Sequence, residues 1–150
     1  MVFAIVAALA LAAGAEPEEP TCAVTRATIF VHHLAELPKE IRDDLVRGGR
    51  IADAGQPFTP YDVITDPSLP GRRFVLGGRS GESWFVWIDH GGMWRHYHVL
   101  GYSPVRGDRE PPTLMLSADF MGEPCEAINA FFHGVMTSVI EDRAVVERPR

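Results

Sequence analysis

The sequence predicts an α+β domain: an antiparallel sheet of four to five strands with a central meander, covered by a C-terminal amphipathic helix, and one short N-terminal helix. Two patterns indicate this class. Short runs of β-branched and aromatic residues alternate with glycine- and proline-bearing turns, and apolar residues recur at helical spacing after Pro124. The length of 150 residues favours a single domain.

The first strand and the short helix follow from local composition. The segment from Thr21 to Val31 is rich in β-branched residues, which is typical of a strand. Pro38 to Val46 fits a helix, because proline suits the first turn and Ile41 and Leu45 lie one turn apart. The pair Gly48-Gly49 ends this helix.

The remaining elements form the sheet and its cover. A proline-rich loop from Arg50 to Gly71 contains a short strand at Tyr61–Ile64. The sheet strands are predicted at Arg72–Leu76, Ser83–Asp89, Met93–Tyr102 and Thr113–Ser117, with a turn at Gly77–Gly81. The last helix begins near Pro124 and presents a wide apolar face: Ile128, Phe131, Phe132, Val135, Met136, Val139 and Ile140.

The N-terminal end has the pattern of a secretory signal peptide. Val2 to Ala13 is apolar and uncharged, and Ala13-Gly14-Ala15 is a small-x-small cleavage site before Glu16. A buried N-terminal helix is the alternative. We therefore expect a periplasmic or secreted protein. Its predicted parts are a signal peptide, a flexible acidic leader, one globular domain and a charged tail, at 1–15, 16–21, 22–143 and 144–150.

Charge, hydropathy and cysteine content narrow the function classes. The net charge of −6 argues against a broad basic surface for nucleic acid. We expect no membrane span in the mature chain, since no later segment is long and apolar enough. The two cysteines of an exported chain predict a disulfide, Cys22 to Cys125, although two separate buried thiols are the alternative.

The hairpin from Ser83 to Tyr102 holds all three tryptophans, three of six histidines and two of three tyrosines. The pair Gly91-Gly92 predicts a two-residue turn in which His90 pairs with Met93. A turn longer by one residue would flip one strand relative to the other. The predicted register gives a core face of Trp84, Val86, Ile88, Met93, Tyr97 and Val99, and an opposite face of Phe85, Trp87, Asp89, Trp94, His96 and His98.

That opposite face supplies the candidate functional residues. His96 and His98 are two apart on a strand, so both imidazoles point the same way, and Asp89 is the nearest carboxylate. These three residues are the candidate metal ligands. Two interpretations compete with a metal site. The histidines are half-buried polar residues packed on aromatic side chains, or Trp87, Trp94, His96 and His98 form a metal-free surface for a ligand or partner.

Three short segments carry a resemblance to a known group of proteins. They are Arg72–Leu76 (RRFVL), Trp84–Gly92 (WFVWIDHGG) and Tyr97–Val99 (YHV). Together they resemble the central third of small uncharacterised exported proteins of proteobacteria. The resemblance implies export and brings no activity or functional residue with it.

Two functions follow as hypotheses. The first is a non-catalytic exported binding or inhibitor-type module that recognises an unknown protein or small ligand in the cell envelope. It rests on the small size, the predicted disulfide and the lack of a catalytic constellation, so no catalytic residue is assigned. The alternative is a small metal-dependent enzyme that uses the His-x-His pair. No cofactor is expected apart from the metal ion of that alternative.

Overall fold

A computed structural model of the chain describes residues 22–64, 66–93, 95–103, 113–120 and 124–134. These residues form a five-stranded antiparallel sheet with one helix packed on each face. The predicted α+β class, with its central meander and C-terminal helix, is confirmed. The predicted signal peptide, leader and charged tail lie outside the described residues.

The strands follow one another in the sheet in chain order. They are β1 (Ile29–Val31), β2 (Arg72–Ser80), β3 (Ser83–His90), β4 (His96–Ser103) and β5 (Thr113–Phe120). The helices are α1 (Lys39–Arg47) and α2 (Cys125–Phe132), and a 3₁₀ turn spans Leu34–Glu36. The predicted strand at Tyr61–Ile64 is reduced to a single bridge between Tyr61 and Gly92.

Strand β2 is longer than the sequence predicts. The predicted turn at Gly77–Gly81 is wrong, since β2 continues to Ser80 and only Gly81 adopts a left-handed conformation, with φ of +61°. A Cβ atom on Gly78 would lie 2.4 Å from a ring atom of Phe85. This glycine therefore provides space for the neighbouring strand's aromatic ring, and the strand does not end there.

One face of the sheet packs against α1. Ile41 and Leu45 are fully buried on the inner side of the helix. They contact a set of strand side chains that point to this face: Phe74, Val86, Ile88, Leu100 and Tyr102. Nη2 of Arg72 donates to the carbonyl oxygens of Leu45 (2.9 Å) and Gly49 (2.6 Å) at the C-terminal end of α1.

The opposite face packs against α2. Ile128 and Phe132 of the helix contact strand side chains that share this face: Val75, Leu76, Phe85, Trp87 and Val99. Gly101 permits close approach, because a Cβ atom there would lie 2.5 Å from the ring of Phe131. The predicted cover of the sheet by the C-terminal helix is present, and its predicted extension from Val135 to Ile140 lies outside the described residues.

A disulfide bond between Cys22 and Cys125 fixes the start of α2. The predicted pairing of the two cysteines is therefore present in the structure. A disulfide of this kind fits an oxidising, extracellular compartment. None of the helices in the described ranges has the length and apolar character that crossing a bilayer requires.

The segment before β1 is bound to α2 by side-chain hydrogen bonds as well. It has no regular structure up to Thr28, so the predicted strand from Thr21 is largely wrong. Oδ1 of Asn129 accepts the backbone N–H of Thr25 (2.8 Å), and Nδ2 donates to the carbonyl of Ala23 (3.1 Å). These bonds use the backbone groups that a regular strand would have paired with a neighbour.

Candidate functional site

The β3–β4 hairpin has a longer turn than the sequence predicts. His90 pairs with His96, so residues 91–95 connect the two strands. The predicted turn pairs His90 with Met93, three positions earlier, and a shift by an odd number moves every β4 side chain to the other face. The predicted faces are therefore wrong. His96 and His98 share the α1 face with Trp84, Val86 and Ile88, whereas Tyr97 and Val99 lie on the α2 face.

The adjacent loop explains the longer turn. A Cβ atom on Gly91 would lie 2.0 Å from the carbonyl oxygen of Thr59, and the Gly91 N–H donates to the carbonyl of Gly71 (2.8 Å). Gly92 forms the bridge with Tyr61. The two glycines thus allow the loop around residue 60 to lie directly against the hairpin end, and they do not form a two-residue turn.

Three histidines come together at this end of the α1 face. The ring centroids of His90, His96 and His98 are 4.8 to 5.1 Å apart. One potential ligand atom from each ring lies within 4.8 Å of the others, and all three side chains are half-buried. In a tetrahedral zinc site the ligand nitrogens are about 3.4 Å apart, so modest rotation of the rings would bring them to binding distance.

Strand pairing explains why these three residues meet. His90 and His96 are cross-strand partners, and His98 is two residues further along β4 on the same face. The fully enclosed Ile88 is the cross-strand partner of His98 and belongs to the core beneath this face. The histidines therefore stand where the apolar α1 core gives way to solvent, which is a common setting for a metal site that a ligand must reach.

Asp89 is not part of this group. Its cross-strand partner is Tyr97, which places it on the α2 face, and it is fully buried. Both carboxylate oxygens accept hydrogen bonds from Arg95 (2.6 to 3.2 Å), and Oδ2 also accepts one from Arg73 (3.0 Å). The predicted role of Asp89 as a ligand beside His96 and His98 is wrong, because neighbouring residues on a strand point to opposite faces.

The predicted aromatic contact surface is also wrong at Trp87. This side chain is 4 % exposed and packs in the α2 core, with its ring 5.4 Å from that of Tyr97. Trp94 lies outside the described residues. Large apolar side chains that are 65 to 77 % exposed occur instead around the loop that meets the hairpin end: Tyr61, Val63, Ile64 and Met93.

His90 is the site residue that sequence reasoning missed. The two-residue turn assigned it to the face opposite His96 and His98. Positions 90, 96 and 98 are all even, but this groups the three residues only if the number of connecting residues is known. Residues of equal parity share a face across a hairpin whenever an odd number of residues connects the strands, as the five residues 91–95 do here.

Comparison with known proteins gives no match: no family model fits the chain, and no curated protein or solved structure is significantly similar to it. Sequence and structure comparison therefore assigns neither a family nor an activity, and the resemblance to exported proteobacterial proteins stays a prediction. Any functional assignment must come from the histidine group itself.

Proposed function

We propose that this protein is an exported, non-catalytic binding module whose ligand is a divalent transition-metal ion of the zinc and copper class. The observation that carries the proposal is the convergence of His90, His96 and His98 on one face of the β3–β4 hairpin. Imidazole nitrogens are preferred ligands of zinc, copper and nickel, and three of them make a recognised ligand set.

The surroundings of the group support this choice of ligand. Within the described ranges, the group consists of imidazoles alone. It contains no thiolate, which would favour a softer ion, and no carboxylate, which would favour a harder one. Arg72, the cross-strand partner of His90, is a cationic residue in the neighbouring strand. Its Nη2 donates to two carbonyl oxygens at the end of α1, which compensates its charge where a metal cation would otherwise be repelled.

We also propose a location in the periplasm or the extracellular space. It is supported by the signal-like pattern of residues 1–15 and by the Cys22–Cys125 disulfide, which is stable where the surroundings are oxidising. The proposed ligand is a small ion rather than a protein partner.

The test is zinc binding by the tag-free protein, measured by isothermal titration calorimetry. We expect one zinc ion per chain, and at a zinc concentration 100 times Kd a gain of about 2.7 kcal/mol in the free energy of unfolding. The change His90→Ala should weaken binding by at least about 100-fold, since loss of a ligand exceeds the 10- to 100-fold cost of losing its outer partner. His98→Gln should have the same effect.

The matched control is His133→Ala, which removes an exposed histidine on the far side of the sheet, beside Thr25. Its zinc affinity should equal that of the parent protein. Circular dichroism of each variant without metal verifies the fold. The proposal is overturned if the folded parent binds neither zinc nor copper(II) stoichiometrically, or if His90→Ala and His98→Gln bind as the parent does.

A further inference from the structure

A cleft lies at the edge of the α2 face, between β1 and the irregular segment that precedes this strand. Its volume is about 380 Å³. Small-molecule sites in proteins commonly measure about 300 to 1,000 Å³, so the cleft is large enough for a small organic ligand. The histidine group lies on the other face of the sheet and contributes nothing to the lining, so the cleft is a separate candidate site.

The wall formed by the irregular segment is held in place by bonds to α2. The disulfide joins Cys22 to the first residue of the helix, and Oδ1 of Asn129 accepts the N–H of Thr25 (2.8 Å). Nη1 of Arg26 donates to the carbonyl oxygen of Phe132, the last residue of the helix (2.9 Å). Because these bonds fix the segment without a ligand, binding requires little further ordering of the chain, which favours affinity.

Part of the lining is apolar. Leu76 and Val24 belong to the apolar core on the α2 face, Leu76 as a fully buried residue and Val24 as a half-buried one. The ring of Phe30 is 40 % exposed and meets that of Phe85 edge-on, with 6.3 Å between the ring centroids. A ligand with an apolar body would remove part of this exposed surface from water, which is favourable.

Two polar side chains of the lining have hydrogen-bonding capacity that the described part of the chain does not use. A guanidinium group carries five N–H donors, and none of the ion pairs among the described residues includes Arg26. Nδ1 of His32 is buried and has no hydrogen-bond partner within the same ranges. Buried polar atoms are normally paired, so a ligand group that accepts hydrogen bonds suits both side chains.

We propose that this cleft binds a small amphipathic monoanion, in which an apolar chain or ring carries one carboxylate. The carboxylate pairs with Arg26, since carboxylate and guanidinium groups form strong, often bidentate hydrogen bonds. The apolar body lies along Val24, Phe30 and Leu76. Arg26 is the one lysine or arginine among the described lining residues, and the net charge of the chain is −6, which favours one negative charge over the two of a phosphate monoester.

The experiment titrates the tag-free protein with octanoate in a calorimeter. Parallel titrations use octanol, which has the same chain without the charge, and acetate, which has the charge without the chain. We expect one octanoate per protein chain and tighter binding than for either fragment. Arg26→Gln should weaken octanoate binding at least about 10-fold, because it removes hydrogen bonds to a charged group, and should leave octanol binding unchanged.

Arg79→Gln serves as the control of the same residue type. Arg79 pairs with Ile29 of β1 at the same sheet edge, but its guanidinium lies on the α1 face, 5.9 Å from the ring centroid of Trp84. This variant should bind octanoate as the parent does, and circular dichroism verifies the fold of both variants.

The amphipathic ligand is ruled out if the parent binds octanoate no more tightly than octanol, if Arg26→Gln binds it as the parent does, or if inorganic phosphate displaces it. Zinc binding distinguishes this site from the metal site. Arg26→Gln should bind zinc with the affinity of the parent, and a parent protein that binds octanoate but not zinc would overturn the proposed metal site alone.

Discussion

The two faces of the sheet are covered by helices that are held in different ways. On the α1 face, Ile41 and Leu45 are fully buried, and the hydroxyl of Tyr102 donates to Oδ2 of Asp44 (2.8 Å). On the α2 face, a disulfide bond fixes the first residue of the helix. One cover is thus held by packing and hydrogen bonds, whereas the other has a covalent bond in addition.

This difference places the disulfide, which stabilises the fold, and the proposed metal site on opposite faces of the sheet. The histidine group lies on the α1 face, and its cover contains no cysteine. The α2 face carries the disulfide and the buried Asp89 with its two arginines. Changes to the α2 face should therefore alter the free energy of unfolding much more than the metal affinity.

The largest effect is expected from removing the disulfide. The disulfide joins residues that are 103 positions apart in the sequence. Replacing both Cys22 and Cys125 by serine opens this covalent loop and should lower the free energy of unfolding by about 2 to 5 kcal/mol. Urea denaturation measures this loss. Zinc affinity should stay close to the parent value, since the site and the bond do not share contacts. A large loss of zinc affinity in the folded double variant would contradict the separation of the two faces.

A smaller effect is expected from Gly101→Ala, which adds a methyl group against α2. The new Cβ atom would meet the ring of Phe131 at 2.5 Å, so this ring or the helix that carries it must shift, at a cost of about 1 to 3 kcal/mol. Thermal and urea unfolding measure this cost. Combining the change with Phe131→Leu should recover part of the loss, because the smaller side chain makes room. Purely additive losses in the double variant would show that the contact is not the cause.

The smallest effect is expected from Tyr102→Phe, the next residue of β4 but on the α1 face. It removes the hydrogen bond to Asp44, which should cost about 1 kcal/mol in urea unfolding. Tyr61→Phe is the matched control, since this tyrosine is exposed and should be replaceable without loss of stability. Equal effects of the two changes would mean that the bond from β4 to α1 contributes nothing measurable.

Much of the fold could be predicted because its signals are local. The helix at Pro38–Val46 agrees within one residue with α1, and the four β-rich segments after Arg72 correspond to β2 to β5. The two errors in the turns of the sheet occur at glycines. Gly78 and Gly91 lie in segments with the composition of turns, but each makes room for a group of a neighbouring strand or loop. Local sequence does not distinguish a glycine that turns the chain from one that allows close approach.

The candidate site was predicted only in part for the same reason. His96 and His98 were selected correctly as a pair on one face, because the two-residue period of a strand is independent of register. Asp89 was predicted as the third member of the group in place of His90, because the register depends on the length of the turn. That length is set by the contact of Thr59 with Gly91, which sequence patterns within the hairpin do not contain.

The Cys22–Cys125 bond also has a topological consequence. Every strand of the sheet and α1 lie in the chain between these two residues, inside one closed covalent ring. A protease that cuts a single peptide bond in an exposed loop of this ring, such as the loop around residue 60, leaves two fragments that remain covalently joined. Where thiols are scarce, the nicked molecule would keep its pieces together until a second cut or a reductant released them.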